Sequence, residues 1–448
     1  MYDTIDIESF HKPAVALVNS SFALDARSAA SGAGMPGIRI VPEEVPCESR
    51  ITAEIEAGIS AVMDDVVAAL LTPLTPEEKS PKPDKVAETP RVVFKGSPAE
   101  VNRFFYERGW TDGLPITLPT GEAVAEMMAG TDLPPDHVVG KIIPRGGKAS
   151  VEKIAVNAVM AGALPTYMPL LIAGVQAMLD PLAFFGSWGV STGSWAPCWI
   201  VNGGVRQDLN VNNGSGALSP GDIANAAIGR AMGLIIKNIG GARKGVEDMG
   251  VLGNPGKYSM VVAENEEESP WEPLHVQQGF KKEDSTVTLF FPNCYVQVQP
   301  YGAEDKGILN SIIYNILPWP RGLFCLILPP VHAKTLANRG WKKKEIASFI
   351  SEFARVPAYR HGGYWKSIPE VPAKERVPMN PEDSMRILLD PDWIRVIVAG
   401  GPGNFMGLLT GGSSVGHSAW VTKEVILPEN WDELVAKYRN IVPKYLRY

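Results

Sequence analysis

The sequence predicts a mixed α/β fold, with α+β as the alternative, arranged as a small N-terminal unit, a linker and a large domain. Three observations support this prediction. Helical and strand patterns alternate along the chain without a regular βαβ count. A stretch rich in proline and charge, TPLTPEEKSPKPDKVAETPR at residues 72–91, separates two structured regions. The 448 residues also exceed the size of one ordinary domain.

Residues 1–71 are predicted to form the small α/β unit. Apolar runs at 14–18 and 38–41 favour short buried strands, and 22–31 favours a helix. Residues 51–71 carry apolar side chains at helical spacing and predict a second helix. Two strands and two helices give a meagre core, so we expect this unit to dock onto something larger. Residues 72–91 then predict an exposed, semi-rigid linker.

Residues 92–448 predict one large α/β domain, or two intimately packed subdomains. Ser97 and Glu100 have the spacing of a capping box, and Ser150 is a plausible cap for a second helix. Further helices are predicted at about 219–238, 342–354 and after 430, and strands at 285–291, 295–298, 323–328, 393–399 and 420–427. The sequence shows no internal repeat.

Composition and charge limit the class of partner. The balance of 42 basic and 49 acidic residues gives a net charge of −7, which argues against nucleic acid and anionic membranes. The most apolar segment, 161–179, is interrupted by Pro165 and Pro169 and is too short to span a bilayer. The N-terminus lacks the pattern of a secretory signal, and the four cysteines form no CxxC pair. A cytoplasmic location is therefore expected.

The block from Val201 to Gly256 contains thirteen glycines and seven asparagines around a long apolar helix. Glycine is costly to order, so this density predicts a backbone that lies close to a bound molecule. The block supplies candidate substrate-binding residues: Arg230, Arg243, Asn254 and Lys257.

A second glycine-rich stretch follows the predicted strand at 393–399, with seven glycines between Ala399 and Ser418. Free N–H groups there could bind a carboxylate or a phosphate, or form an oxyanion hole, and the candidate residues are Gly401, Gly403 and Ser413. The spacing misses G-x-G-x-x-G, so a dinucleotide fold is not expected. Ordinary surface loops are the alternative for both stretches.

Two thiols are candidate catalytic residues. Cys47 precedes the helix predicted at 51–71, where the helix dipole would favour a thiolate. Cys198 lies between two tryptophans, just before the glycine-rich block. The alternative for both is a small, buried and inert side chain.

Acidic residues and a histidine suggest proton transfer or metal binding. Glu264, Glu272 and His275 lie within AENEEESPWEPLH and could exchange protons or hold a divalent metal ion as a cofactor. A solvated loop is the alternative. Asp112 lies in GWTDGLPITLPT, a turned and proline-stiffened loop, where it would be a base, a positioning group or only a loop cap.

Several segments resemble one bacterial family. They are GWTDGLPITLPT, IAVNAVMAGALPTYMPLLIAG, ANAAIGRAMGLIIKNIGGA and SPWEPLHVQQGF. The resemblance is to a family associated with UGSC-motif (seleno)proteins. Residues 14–48 are similar to the second half of a UGSC domain. The resemblance implies breakdown of small organic compounds and selenol or thiol redox chemistry at a Sec/Cys-Gly-Ser-Cys tetrad. This chain has no such tetrad.

The sequence therefore predicts an enzyme acting on a small polar or anionic organic molecule, as an oxidoreductase or a lyase. The reaction would be thiol-assisted redox chemistry or cleavage of a carbon–heteroatom bond. One alternative is a metal-assisted hydratase or lyase. Another is a non-catalytic subunit of a redox complex, with a partner supplying the redox centre. A homo-oligomer or a hetero-oligomer with a second subunit is expected.

Overall fold

The computed structural model describes residues 2–47, 49, 51–79, 90–318, 322–367, 376–411 and 419–441. Over these residues the chain is a mixed α/β protein, as predicted. Two four-stranded mixed sheets form the centre of the large domain, and helices cover their outer faces. Within the described residues, each helix is too short or too polar to span a bilayer.

Over its described residues the N-terminal unit contains four α-helices and two strands, in chain order α1 (Tyr2–Ser9), β1 (Ala16–Asn19), α2 (Ala23–Gly32), β2 (Ile40–Glu43), α3 (Thr52–Leu71) and α4 (Pro76–Lys79). The two strands pair in parallel, and α3 packs along β2. Arg39 holds the start of the predicted linker, because its guanidinium donates to the carbonyls of Thr72 and Pro73. Residues 80–89 of that linker lie outside the described residues.

The first part of the large domain contains α5 (Pro98–Glu107), α6 (Gly121–Met128), β3 (Val138–Ile142), β4 (Gly147–Ser150), α7 (Val151–Met160), α8 (Met168–Leu179), α9 (Phe185–Trp188), β5 (Cys198–Asn202), α10 (Val205–Asp208), α11 (Ile223–Ile235), β6 (Val261–Ala263), α12 (Leu274–Gln277) and β7 (Thr286–Phe290). The caps predicted for α5 and α7 are present: Ser97 and Glu100 form the capping box, and Ser150 accepts from the N–H of Lys153.

The second part contains β8 (Pro292–Val298), α13 (Asp305–Asn315), β9 (Phe324–Leu328), α14 (Pro330–Asn338), α15 (Lys343–Phe353), β10 (Arg355–Pro357), β11 (Ser384–Arg386), β12 (Ile394–Val398), β13 (Met406–Gly411), β14 (Val421–Glu424) and α16 (Trp431–Tyr438). Strands β3–β4 and β10–β11 form small separate antiparallel pairs.

The two central sheets repeat one topology that the sequence does not reveal. Their strand orders are β14-β7-β5-β6 and β8-β13-β9-β12. In each sheet the last two strands are parallel, and the other neighbours are antiparallel. The outer strand is exchanged in both: β8 follows β7 along the chain but pairs with β13, and β14 follows β13 but pairs with β7. Each half therefore completes the sheet of the other.

The sheets pack face to face, so the domain has four layers. Along β5, Trp199 and Val201 face helices α7, α8 and α11, whereas Cys198 and Ile200 face the second sheet. The side chains of β9 alternate in the same way: some face the first sheet, and the others face helices α13, α14 and α15. Because both faces are covered, the central strands are apolar on both sides, as in CWIVN and FCLIL.

A glycine-rich segment predicted as a binding loop is instead partly a central strand. Residues 406–411 form β13, between β9 and β8. Gly407 is needed for close packing, since a Cβ there would lie 3.1 Å from the ring of Tyr295 and 3.2 Å from Ile327. The groups that approach Gly407 closely therefore belong to the neighbouring strands β8 and β9.

A buried ion pair joins the two halves. Glu264, which follows β6, is fully buried, and its Oε1 lies 2.8 Å from Nζ of Lys343 at the start of α15. The other carboxylate oxygen accepts from Asn202 Nδ2 at 2.7 Å and from the N–H of Leu274 at 2.7 Å. Each charge is thus compensated inside the protein.

Replacing Lys343 by Met is expected to destabilise the large domain by about 3–5 kcal/mol, because the Glu264 carboxylate would stay buried without its cation. Chemical denaturation followed by circular dichroism measures the change. The matched control is Lys344→Met, since the neighbouring lysine is exposed. Equal stability of the two variants would contradict the assignment.

Candidate functional site

A cavity of 460 Å³ opens beside the first sheet, between α11, the loop at 109–113 and the segment at 242–258. Its apolar wall is largely aromatic: Tyr106, Phe185, Trp188, Trp195, Tyr258 and Phe291. Its charged lining consists of Asp112, Arg230, Lys237, Lys244, Asp248 and Lys257. Four cations thus face two carboxylates inside an aromatic cavity.

The loop that carries Asp112 is stiff for reasons visible in its sequence. Thr111 is buried, and its hydroxyl accepts from the N–H of Gly113 at 3.1 Å. Asp112 Oδ1 accepts from the N–H of Leu114 at 3.2 Å. Gly113 has φ = 96°, a left-handed conformation that favours glycine. The predicted turned loop therefore exists, and it places Asp112 at the edge of the cavity.

Asp112 and Arg230 form a bidentate ion pair across the cavity wall. Arg230 Nε lies 2.7 Å from Oδ2 and its Nη2 lies 3.0 Å from Oδ1. Arg230 also donates to the carbonyl of Pro115 at 2.8 Å. Burial disfavours the charged carboxylate, but the hydrogen bonds and charge of Arg230 outweigh it and hold the pKa of Asp112 below its usual value. The loop and helix α11 are thereby locked together.

Lys237 lies in a π-helical turn, Ile236–Gly240, that continues α11. Its ammonium donates to the carbonyl of Thr111, and Asn238 in the same turn donates to the carbonyl of Trp110 at 3.0 Å. Burial lowers the pKa of Lys237, and the negative charge of Asp112 partly opposes this. Such turns are frequent at functional sites. Sequence reasoning missed this lysine; its position just before Gly240 and Gly241 was the available signal.

Lys257 reaches the cavity from the opposite side, and its Nζ lies 2.6 Å from Oδ2 of Asp248. Asn254 sets this position, because its side chain accepts from the N–H of Gly256 at 2.9 Å and caps the short turn Pro255–Lys257. Arg243, predicted to act with Lys257, is directed elsewhere: its Nε lies 2.9 Å from Oε2 of the buried Glu247. The predicted pair is therefore separated.

The acidic run at 264–268 is tied to fixed cations. Glu264 is bound to Lys343, and Glu266 and Glu267 each lie 3.0 Å from the guanidinium of Arg206. Arg206 itself is buried. The carboxylates thus anchor the segment after β6.

Glu264, Glu272 and His275 do not assemble into a common centre. Glu272 is exposed, while His275 is fully buried with Nε2 3.4 Å from the carbonyl of Lys282. Within the described residues, no group of three or more His, Cys, Asp and Glu side chains is arranged to hold a metal ion. Carboxylates close in sequence are here directed to different partners.

The two candidate thiols lie away from the cavity. Cys47 is exposed, but α3 begins only at Thr52, so the thiol lies outside the first helical turn. Cys198 is buried between the sheets, and this burial raises the pKa of its thiol well above the usual value. In the described residues, neither thiol lines the cavity that contains Asp112 and Lys237.

The second glycine-rich stretch forms a separate cavity of 590 Å³ with residues 215–219. Gly401 and Gly403 line it, and a Cβ on Gly401 would lie 1.8 Å from the hydroxyl of Ser215. Ser413 lies outside the described residues. The single site predicted from both glycine-rich stretches is thus divided: Gly233 and Lys257 belong to the aromatic cavity, and Gly401 to this one.

The fold and the cavity define a mixed α/β protein with an aromatic, cation-rich pocket. A family model described as UGSC family matches residues 1–72. The resemblance predicted for the N-terminal unit is therefore confirmed, whereas that of the segments between 109 and 280 stays a prediction. No curated protein and no solved structure matches the chain significantly.

Proposed function

We propose that the protein is an enzyme acting on a small organic anion with an aromatic or otherwise apolar body. The observation that carries the proposal is the lining of the aromatic cavity. Even with Lys237 neutral, Arg230, Lys244 and Lys257 outnumber Asp112 and Asp248, and the apolar walls lower the local dielectric. A carboxylate would be attracted to the cations while its apolar body packs on the rings.

Lys237 is the proposed general base. A lysine with a lowered pKa has a larger fraction of neutral amine near pH 7, which is the form that accepts a proton. Asp112 is unsuited to this role, because Arg230 occupies both of its oxygens and keeps it ionised. Asp112 instead positions Arg230. The same ion pair holds the loop in which the carbonyl of Thr111 accepts a hydrogen bond from Lys237.

The proposed reaction is cleavage of a carbon–heteroatom bond by elimination. Lys237 removes a proton from the carbon next to the carboxylate, and the freed electron pair forms a carbon–carbon double bond. The heteroatom leaves from the adjacent carbon with its bonding pair. The cations stabilise the negative charge that develops on the carboxylate during proton removal. The position of both candidate thiols outside the cavity favours this reaction over thiol-assisted redox chemistry.

Phenylacetate and indole-3-acetate are expected to bind the purified protein, and benzyl alcohol to bind more weakly because it lacks the charge. Lys237→Met is expected to weaken carboxylate binding about tenfold, the size of one hydrogen bond to a charged group. Isothermal titration calorimetry measures both. Lys148→Met is the control, since Lys148 is exposed on β4 outside the cavity. Equal affinity for the alcohol and the acids would refute the anion site.

Lys237 is expected to react with acetic anhydride at lower pH than Lys148, because only the neutral amine reacts and burial lowers the pKa of Lys237. Reactivity should rise with pH through that lowered pKa. Asp112→Asn should shift the rise to still lower pH, since the opposing negative charge is removed. Competitive labelling with peptide mass spectrometry gives both profiles. Coincident profiles for the two lysines would rule out Lys237 as the base.

A second candidate function is that of a subunit in a redox complex, and one observation favours it. Helix α3 has no buried residue, and Ile55, Met63, Val67 and Leu70 on it are exposed. In the part of the N-terminal unit that the structure describes, the sheet has only two strands, fewer than a stable domain usually needs. A partner covering α3 would bury this apolar surface.

For this second candidate, Met63→Lys combined with Val67→Lys is expected to abolish co-purification of a second chain, because a lysine cannot be buried in an apolar interface without cost. The melting temperature of the isolated protein should stay unchanged. Asp64→Lys, exposed on the same helix, is the control. Full activity of the isolated chain on a carboxylate would decide against the subunit function.

A further inference from the structure

We infer that the N-terminal unit positions one wall of the aromatic cavity, through a hydrogen bond from Ser28 to Glu247. The inference rests on the proposed function of that cavity. It gives the unit that matches the UGSC family a role in ligand binding by the large domain.

Glu247 is the centre of this contact. It is fully buried, and the hydroxyl of Ser28 on α2 donates to its Oε1 at 2.5 Å. Arg243 donates to the same carboxylate from Nε at 2.9 Å and from Nη2 at 2.5 Å. Arg145 lies 3.4 Å from Oε1 and also donates to the Ser28 hydroxyl at 3.1 Å. Ser28 is thus the contribution of the N-terminal unit to a buried charged network.

The backbone around Glu247 is a tight turn whose other side chains line the cavity. The carbonyl of Arg243 accepts from the N–H groups of Glu247 and Asp248, each at 3.0 Å, and Gly245 donates to the carbonyl of Asp248 at 2.9 Å. Lys244 and Asp248 both face the cavity, and Asp248 holds Lys257 at 2.6 Å. Fixing the Glu247 side chain therefore fixes its neighbours on the cavity side.

Arg145 extends the same contact to the turn that carries Lys237. Its N–H donates to the carbonyl of Gly240, the last residue of the π-helical turn, at 2.9 Å. On its other side the N-terminal unit approaches closely, since a Cβ on Gly32 would lie 2.9 Å from the Cα of Arg145. Two cavity-lining segments, 242–248 and 236–240, thus rest on residues that α2 contacts.

The contact is also electrostatically sensitive. Asp25 lies on α2 near Glu247, and burial followed by the negative charge of Glu247 raises the pKa of Asp25 to about 6. Arg145 and Arg243 supply the compensating positive charge. The charge beside Glu247 therefore changes as Asp25 loses its proton near pH 6.

The test is hydrogen exchange of the full chain, measured by mass spectrometry on Ser28→Ala and Gly32→Ala. Ser28→Ala is expected to speed exchange in the peptide covering 243–248 about tenfold, the value of one hydrogen bond to a charged group. Gly32→Ala is expected to speed it as well, because the added Cβ would displace the backbone of Arg145. Exchange in α8 should not change, because its packing lies within the large domain. Arg27→Ala is the matched control, since Arg27 is exposed on the same helix.

Binding of phenylacetate separates this inference from the proposed function. If the wild-type chain binds the acid, Ser28→Ala should weaken binding about tenfold and Arg27→Ala should leave it unchanged. Failure of the wild type to bind would overturn the proposed anion site. The hydrogen-exchange rates at 243–248 would still show whether α2 positions this wall of the cavity. Wild-type exchange rates at 243–248 in both α2 variants would overturn the inference.

Discussion

Mutual completion of the two central sheets is the constraint on which the rest of the structure depends. Each sheet receives its outer strand from the other half of the chain, so neither half is a finished unit. Face-to-face packing leaves only the outer faces for helices, which places α11 on the outside of the first sheet. The ion pair between Glu264 and Lys343 lies where the halves meet. Correct docking of the halves therefore requires the two buried charges to pair, in addition to apolar packing.

The aromatic cavity follows from this arrangement. Helix α11 ends in a π-helical turn, and the extra residue per turn lets Lys237 contact the loop at 109–113. The same loop is also held by the ion pair between Asp112 and Arg230, which lies on α11 before the π-helical turn. Cations held by ordered partners in an apolar cavity interact with an anion more strongly than cations in water would. The geometry therefore suits small organic anions.

The sequence predicted local structure well and side-chain partnerships poorly. Ser97 and Ser150 were recognised as helix caps because capping depends on residues three apart. Gly407 was misassigned to a loop, since the close approach of Tyr295 and Ile327 involves strands distant in sequence. The sequence places Glu264 among the catalytic or metal-binding candidates, because nothing near it along the chain indicates its pairing with Lys343. The exchanged strands are equally hidden, as the two halves share topology without recognisable sequence repetition.

Strand exchange also has a consequence for biosynthesis. The first sheet needs β14, which lies more than a hundred residues after β7 along the chain. During translation one edge of the first sheet must therefore stay open until the residues of β14 have been made. Long-range closure of this kind slows folding and exposes strand edges that invite wrong pairing. Production of this protein is thus expected to depend on chaperones that cover the open sheet edge until β14 has been synthesised.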